Sequence, residues 1–492
     1  MRLRLLSRFD VLIIILIVTS CLSCKTTHKT RSEAAEGYLK IVRGYADKMI
    51  NEGRDNLGKV HSPLFASALD RQTMNPGTRE SFGSITGVRE SDRSLGGANP
   101  LCDIGLYEIL YRLSEINKDP RYANEADSTL KYFFNHCQSP NTGLMSWGEH
   151  LFWDFKNDSV GDRGEHEMSP WPFWDRCYKL APLPCRNFAI GLWDHQIADH
   201  VTGDFSRHAL WTEHHPYKGF EFPRYAGQMI EVWADANHRQ PDELFVKAAR
   251  IVFNRMKQNR DPVSGSIHAG TATNHYSGSW PGSDLELARC LWKTANFFPK
   301  ELADEMKYFS REIDRRFLLY PHDLKNKGFV MSVEAATGKP GWRKPYYSNL
   351  FSTAYGISNN AGCSKGPLLR YQQLKEANIP DASNFLQLVI SAADGYMTVM
   401  PDTTQLLKPD SYASIIELML NVYDITKDIK YLNRAVIYAD EGIKLFFDNS
   451  SPLPKATNRH SHYETITGGA DFVKVLLDLS TNLKLEKPAV HL

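Results

Sequence analysis

Residues 101–122 read LCDIGLYEILYRLSEINKDPRY, and this stretch decides the fold. Ile104, Leu106, Ile109, Leu110 and Leu113 recur at the spacing of one helix face. Asn117-Lys118-Asp119-Pro120 then breaks the pattern, because proline cannot continue a helix interior. A second helix follows, with Tyr122, Ala126, Leu130 and Phe133 on one side. Helix, short polar turn carrying Asp, then helix opening near an aromatic is the plan of an αα-hairpin. The plan returns: NKDPRYANEA at 117–126 reappears as TKDIKYLNRA at 426–435, after a helical run from Ile415 to Tyr423. Gly37 to Ile50 shows the same face through Tyr38, Ile41, Val42, Tyr45 and Met49, and Thr202-Gly203-Asp204 marks another such turn. Few short alternating strands are visible. Repeated hairpins along a long chain predict an all-α fold, an α/α barrel or toroid.

The chain has 492 residues, 42% apolar and 23% charged, an ordinary globular balance that excludes disorder and collagen-like classes. Lys+Arg 58 against Asp+Glu 57 leaves a net charge of +1, without the basic excess that nucleic-acid binding would call for. Aromatic residues reach 11%, which suits rings stacked on sugars as well as it suits a large core.

Arg2, Arg4 and Arg8 precede the apolar run Val11–Val18, the layout of an export signal and far short of the roughly 20 residues that span a bilayer. Val18-Thr19-Ser20-Cys21 resembles a lipobox. Residues 1–20 are therefore expected to be a lipoprotein signal peptide, with lipidation at Cys21. Residues 21–33 read as a polar tether and 34–492 as a single α/α-barrel catalytic domain. The alternatives are an ordinary cleaved signal or a single anchor. A lipid anchor would place the exported protein on a bacterial membrane, facing the periplasm or the cell surface. Cys102, Cys137, Cys177, Cys185, Cys290 and Cys363 are scattered, and no CxxC pair in the mature part suggests a zinc ribbon. Cys177 and Cys185 are the closest pair for a disulfide; buried free thiols account for them equally well.

Four aromatic, Gly- and Pro-rich stretches interrupt the helices: 139–162, 168–185, 264–282 and 338–348. Long ordered loops on a rigid scaffold tend to carry function, and a toroid would gather them at one mouth. Three histidine-bearing segments lie at such loop or hairpin ends: Gly143 to His150, Glu165-His166-Glu167-Met168 and Gly203 to His208. Two imidazoles and one carboxylate with open positions form a common catalytic metal arrangement, and His150, Glu167 and His208 would supply it. The competing reading is that these histidines merely bond to backbone. Arg224 is a candidate for binding a uronate or sulfate and Tyr225 for an acid; a salt-bridged Arg and a core Tyr are the alternatives. His214 and His215 lie nearby as further substrate contacts. Trp147, Trp280, Tyr346 and Tyr347 are candidate stacking platforms, or core residues. His462 could close the toroid onto the same mouth, or serve structure.

These segments resemble polysaccharide lyase family 2, the metal-dependent pectate lyases built on an α/α barrel. The likeness runs from His61-Ser62-Pro63-Leu64-Phe65 through Gly143–His150, His166-Glu167, Leu192-Trp193-Asp194-His195 and Gly203–His208. His462-Tyr463-Glu464-Thr465-Ile466-Thr467-Gly468-Gly469 is similar to helical uronate-acting enzymes. The resemblance implies that His150, Glu167 and His208 are metal ligands, that Arg207 is the Brønsted base, and that His166 belongs to the substrate site. The chain departs from the pattern in three ways. Glu149 stands where a second glycine is expected, Met168-Ser169 replaces a Leu-Lys pair, and a lipoprotein signal is untypical. By ligand type the metal would be Mn or Zn, with Ca less suited.

The reaction expected is metal-assisted β-elimination on a uronate-containing oligo- or polysaccharide. The proton at C5 is lost alpha to a carboxylate, whose growing charge a cation offsets. The leaving group at C4 is a sugar in a lyase and water in an oligosaccharide dehydratase. Arg207 could instead stay charged and clamp the substrate carboxylate. Two rivals come from other classes. One is glycoside hydrolysis by paired carboxylates drawn from Asp103, Glu149, Glu167 and Asp284. The other is a non-catalytic glycan-binding lipoprotein.

Overall fold

The NKD turns explain how the hairpins are made. In the computed structural model, which describes residues 30–485 apart from 215–218, 272–276 and 352–357, Lys118 and Lys427 both adopt left-handed backbone, at φ 52° and 57°. Each ends a helix, and the next residue caps the following one: Asp119 accepts from the Arg121 N–H, and Asp428 from the Lys430 N–H. One tripeptide thus stops one helix and starts its partner.

Apart from the single turn Arg79–Phe82, the helices are α1 Arg31–Glu52, α2 Ile104–Asn117, α3 Pro120–His136, α4 Trp174–Leu180, α5 Pro182–Gly191, α6 Pro223–Arg239 and α7 Glu243–Gln258. They continue as α8 Pro281–Thr294, α9 Lys300–Leu319, α10 Asn360–Glu376, α11 Ala382–Asp394, α12 Pro409–Thr426, α13 Ile429–Phe446 and α14 Gly469–Leu485. The expected tether runs too far, because a Thr30/Glu33 capping box starts α1 at Arg31. The 101–116 helix begins later than its apolar pattern, at Ile104, after a single 3₁₀ turn over Pro100–Cys102.

Two kinds of helix alternate. α7 buries one stripe, Phe245, Ala248, Ala249, Val252, Phe253 and Met256. Its partner α6 is buried nearly all round, from Pro223 to Ala236. One-sided burial marks an outer helix and all-round burial an inner one. α5, α6, α8, α10, α12, α14 and α2 pack in that order, and α3 packs on both α2 and α5 to close the ring. The fold is an α/α barrel. Arg370 on α10 and Asp314 on α9 are wholly buried, with Arg370 Nε donating to Asp314 Oδ1 at 2.8 Å, and tie two adjacent hairpins.

The rim departs from the helical expectation. Stretch 139–162 contains strand β3 (His150–Asp154) and the start of β4 (Ser159–Glu167), and stretch 168–185 contains α4 and the start of α5. With β2 (Gly97–Ala98) and β7 (His208–Leu210), β3 and β4 form an antiparallel sheet in the order β2-β3-β4-β7. Small ladders flank it: β1 (Ala68–Leu69) with β10 (Tyr463–Glu464), β5 (Ile197–Asp199) with β6 (Asp204–Phe205), and β8 (Gly278–Ser279) with β9 (Val333–Glu334). Backbone bonds join them. Thr465 N–H donates to Ser67 at 2.8 Å, and Ser67 N–H to Gly97 at 2.9 Å. Farther along, Phe222 N–H donates to Ala269, and Ala269 N–H to Gly278 at 2.7 Å. The connecting segments are gathered at one mouth, as a toroid requires.

All six cysteines among the described residues are free thiols, so Cys177 and Cys185 form no disulfide. No helix among the described residues is long and apolar enough to cross a membrane. Cys21 and His215 lie outside the described residues.

Candidate metal centre and active site

The sheet register assembles the site. Glu167, last in β4, is paired directly with His208, first in β7. His150, first in β3, is paired with Glu165, and the register shifts between His150 and Leu151. The preceding glycine permits this crowding. Gly148 has φ 138°, and a Cβ there would lie 2.7 Å from the Glu167 nitrogen. Such backbone and such approach are open only to glycine.

Two of the three predicted ligands, His150 and His208, face one another, and the third, Glu167, lies beside His208. The His150 and His208 rings are 5.0 Å apart, centre to centre, and His208 Nε2 is 3.5 Å from Glu167 Oε2. The donors that close most tightly include one the motifs did not name as a ligand: Glu149, His150 and His208 each bring one ligand atom within 4.8 Å of the others, with Glu167 adjoining this set through His208. His208 Nε2 and Glu167 Oε2 are buried without a hydrogen-bond partner. His150 Nδ1 is 3.0 Å from Asp92 Oδ1, but off the line a hydrogen bond needs. Buried lone pairs left without a donor are costly, and a cation would satisfy them. Two imidazoles and two carboxylates suit a divalent ion by chemistry as well as by position.

The electrostatics point the same way. Burial, then the hydrogen bond and charge of Glu167, push Glu149 up to about 7. Burial works against Glu167 as well, but His208, Glu149 and Arg207 together hold it down to about 2. Two carboxylates in contact cannot both be charged cheaply; they share a proton or a cation.

Arg207 stands at the edge of the cluster, partly exposed. Its Nη1 is 3.8 Å from Glu149 Oε2 and 3.9 Å from Glu167 Oε1. Gln196 Nε2 donates to the Arg207 carbonyl at 3.1 Å, which fixes its backbone. Tyr225 is buried, and its hydroxyl donates to Glu167 Oε1 while accepting from Arg224 Nη2 at 2.7 Å. That placement orients a ligand; it does not present a free acid to a substrate. Arg224 reaches the cluster through Tyr225.

Several expected substrate contacts lie elsewhere. Trp147 is core, packed at 5.6 Å from Phe133 and 5.1 Å from Trp171. Its indole N–H donates at 3.0 Å to Nε2 of His166, which has no exposed surface and whose burial lowers it to about 3. Both residues stand behind the sheet and brace it. His462 is also buried, stacked on Phe82 at 4.2 Å and paired with Glu464 at 2.9 Å. Asp103 and Asp284 are buried too, so neither faces a glycan. The surface candidates remain open to solvent. His214 is exposed, with Nδ1 2.8 Å from the Asp194 carbonyl. Trp280 is half-buried, edge-on to Trp342 at 5.1 Å, and Tyr346 and Tyr347 are half-buried on the 330–347 ladder.

Sequence reading missed Arg89 and Asp92. Arg89 Nη2 donates to Glu149 Oε1, and its Nε donates to Asp92 Oδ2 at 2.9 Å. They sit in the charged run Val88–Arg93, which nothing local distinguishes from a solvated turn.

The likeness read from the motifs holds: residues 62–248 match the family described as periplasmic pectate lyase, a segment containing every predicted ligand and Arg207. A pectate disaccharide-lyase of Dickeya dadantii (strain 3937) is 27% identical over 186 residues, 36% of this chain and 32% of that protein. The chain thus matches about a third of that relative's length. Among solved structures, the cellobiose 2-epimerase of Bacillus thermoamylovorans B4167 has a TM-score of 0.48 at 9% identity, covering 92% of this chain and 100% of that one. The α-1,6-mannanase of Salegentibacter sp. HEL1_6 has a TM-score of 0.41 at 9% identity, covering 92% and 99%.

Proposed function

We propose that this protein is an exported, metal-dependent lyase that cleaves uronate-containing oligo- or polysaccharides by β-elimination. One observation supports the reading: His150 and His208 gather with Glu149, and Glu167 lies 3.5 Å from His208, with unpartnered buried atoms on Glu167 and His208, beside Arg207, inside the segment that matches periplasmic pectate lyases. The Val18–Cys21 lipobox supports anchorage through a lipid on Cys21.

His150, Glu167 and His208 would hold a Mn²⁺ or Zn²⁺ ion. Bound there, the ion supplies Lewis-acid charge that offsets the negative charge growing on the substrate carboxylate. Tyr225 fixes the Glu167 carboxylate, and Asp92 lies against His150. Arg207 removes the C5 proton. The freed electron pair forms the C4–C5 double bond, the C4–O bond breaks, and the leaving oxygen is protonated from solvent.

The paired-carboxylate hydrolase is disfavoured by the partners these groups already have: Glu167 is buried with Oε1 accepting from the Tyr225 hydroxyl, and Glu149 Oε1 accepts from Arg89. The test is incubation with pectic and other polyuronate oligosaccharides, with Mn²⁺ and separately with EDTA. Metal-dependent growth of the ultraviolet absorbance of an unsaturated uronate is expected, with mass spectrometry showing chain cleavage rather than loss of water. New reducing ends without that absorbance would overturn the proposal.

A further inference from the structure

We propose that Glu149 is a fourth protein ligand of the cation in this site, held in place by Arg89. The inference rests on the metal reading above and adds a ligand to it. Glu149 departs from the pattern of the resemblance, so its role must be read from this chain's own geometry.

Three observations place it. Its carboxylate belongs to the set of donors that lie within 4.8 Å of one another together with His150 and His208. Its Oε2 is 3.6 Å from His150 Nε2 and 3.8 Å from Arg207 Nη1, which is itself 3.9 Å from Glu167 Oε1. Its other oxygen, Oε1, accepts from Arg89 Nη2. Arg89 is itself tied to Asp92 at 2.9 Å, and Asp92 Oδ1 lies 3.0 Å from His150 Nδ1. Glu149, Arg89, Asp92 and His150 thus form a circuit that returns to the donor cluster. One Glu149 oxygen is held by the guanidinium, and the other faces the imidazoles. A carboxylate fixed on one oxygen and presented on the other is how a metal-binding acid is oriented. A buried Glu167 (5% exposed) and His150 (3% exposed) surround the same space, and the unpartnered Glu167 Oε2 and His208 Nε2 are aimed into it.

The second carboxylate changes which ion the site prefers. Two imidazoles with one carboxylate suit Zn²⁺ and Mn²⁺ alike, and each added carboxylate favours the harder ion. With Glu149 bound, a dication is charge-neutralised by the protein alone. The site should therefore prefer Mn²⁺ over Zn²⁺ more strongly than it does without Glu149.

The test uses the mature metal-stripped protein and Mn²⁺ alone, followed by loss of the free-ion electron paramagnetic resonance signal. Thermal unfolding is recorded with and without the ion. Wild type, Glu149→Gln, Arg89→Gln and Glu167→Gln are compared, with Glu301→Gln on an exposed helix as control. Expected for Glu149→Gln is a loss of Mn²⁺ affinity of about 10–100-fold with a smaller loss for Zn²⁺, the metal-free melting temperature unchanged or raised, and the Mn²⁺-induced shift reduced. Arg89→Gln should weaken Mn²⁺ in the same direction by less, and it stands in if Glu149→Gln fails to fold. Unchanged Mn²⁺ affinity in Glu149→Gln, with affinity lost in Glu167→Gln, would overturn the fourth ligand and leave the metal site standing. No binding of Mn²⁺ or Zn²⁺ by wild type would overturn both.

Discussion

Two histidine–carboxylate clusters sit on the rim of this barrel, and they are built to opposite plans. At His462 every partner is present. His462 pairs with Glu464 at 2.9 Å, Arg93 Nε and Nη2 donate to Glu464 at 2.8 and 2.7 Å, and Phe82 covers the ring at 4.2 Å. At His150 and His208, by contrast, buried atoms of Glu167 and His208 have no hydrogen-bond partner. The same residue types thus serve as a keystone in one place and as a receptacle in the other. Neutralised charge is the difference. Arg93 supplies it internally at the first; at the second Arg89 pairs with Glu149, whereas Arg207 Nη1 stands 3.9 Å from Glu167 Oε1. A histidine beside a carboxylate is informative about function only once its counter-charge has been accounted for.

The largest effect that would break this comparison is Glu464→Ala. It strips the buried Arg93 Nε and Nη2 of their carboxylate and leaves only the Nη1 contacts to Glu90 and the Gly83 carbonyl, a change that costs about 3 kcal/mol. Urea unfolding should show that loss with and without added metal. A loss that metal reverses would mean the keystone is a metal site after all. Next come His150→Ala and His208→Ala. Each should lower elimination by roughly 10²–10³-fold, the scale of removing one preorganised electrostatic group, while metal-free stability falls little. Retained activity in either variant would erase the distinction between the clusters.

A third buried carboxylate sharpens the contrast. Asp284 has no ion pair among the described residues and no place in the cluster; burial raises it to about 8 although Ser279 Oγ donates to it at 2.8 Å and the charge of Arg316 pulls the other way. Its folded value lies above its unfolded value of 3.8, so the folded state holds the extra proton. The associated stability is complete below about pH 4 and is lost as pH rises towards 8, with a slope of at most about 1.4 kcal/mol per pH unit. Asp284→Asn should remove that slope in unfolding midpoints measured from pH 4 to 8. Parallel profiles for the two proteins would show that Asp284 is ionised in the fold. The smallest change is Tyr225→Phe, which deletes the donor to Glu167. Metal affinity should fall by about tenfold, seen by calorimetry, with stability altered by about 1 kcal/mol.

The barrel was legible because its signals are local. Helical periodicity and a tripeptide that both ends and caps helices are written within a few residues, at 117–119 and 426–428 alike. The site's sheet was not. β4 reads SVGDRGEHE, without alternating apolar residues, so its pairing is decided by β3 and β7 and not by its own composition. His150, Glu167 and His208 could be named through the resemblance of short motifs. Arg89 and Asp92 could not, because their partners are about 60 positions away for Glu149 and beyond helical spacing for His150. Trp147 was misplaced for a related reason: an indole in a Gly-rich stretch looks the same whether it meets a sugar or Phe133.

The closed ring has a consequence for how the chain can be cut. α1 and α14 lie side by side, with Ser480 Oγ donating to the Ala35 carbonyl at 2.8 Å and Lys484 paired to Glu36 at 2.9 Å. No hairpin is first in the packing sense; the ring only happens to be threaded from this seam. A circular permutant that joins residues 31 and 485 by a short linker and opens at the Asn378 turn, between α10 and α11, should refold around the same rim. The start of synthesis could then be moved away from the sheet that carries His150, Glu167 and His208 without altering a residue of it.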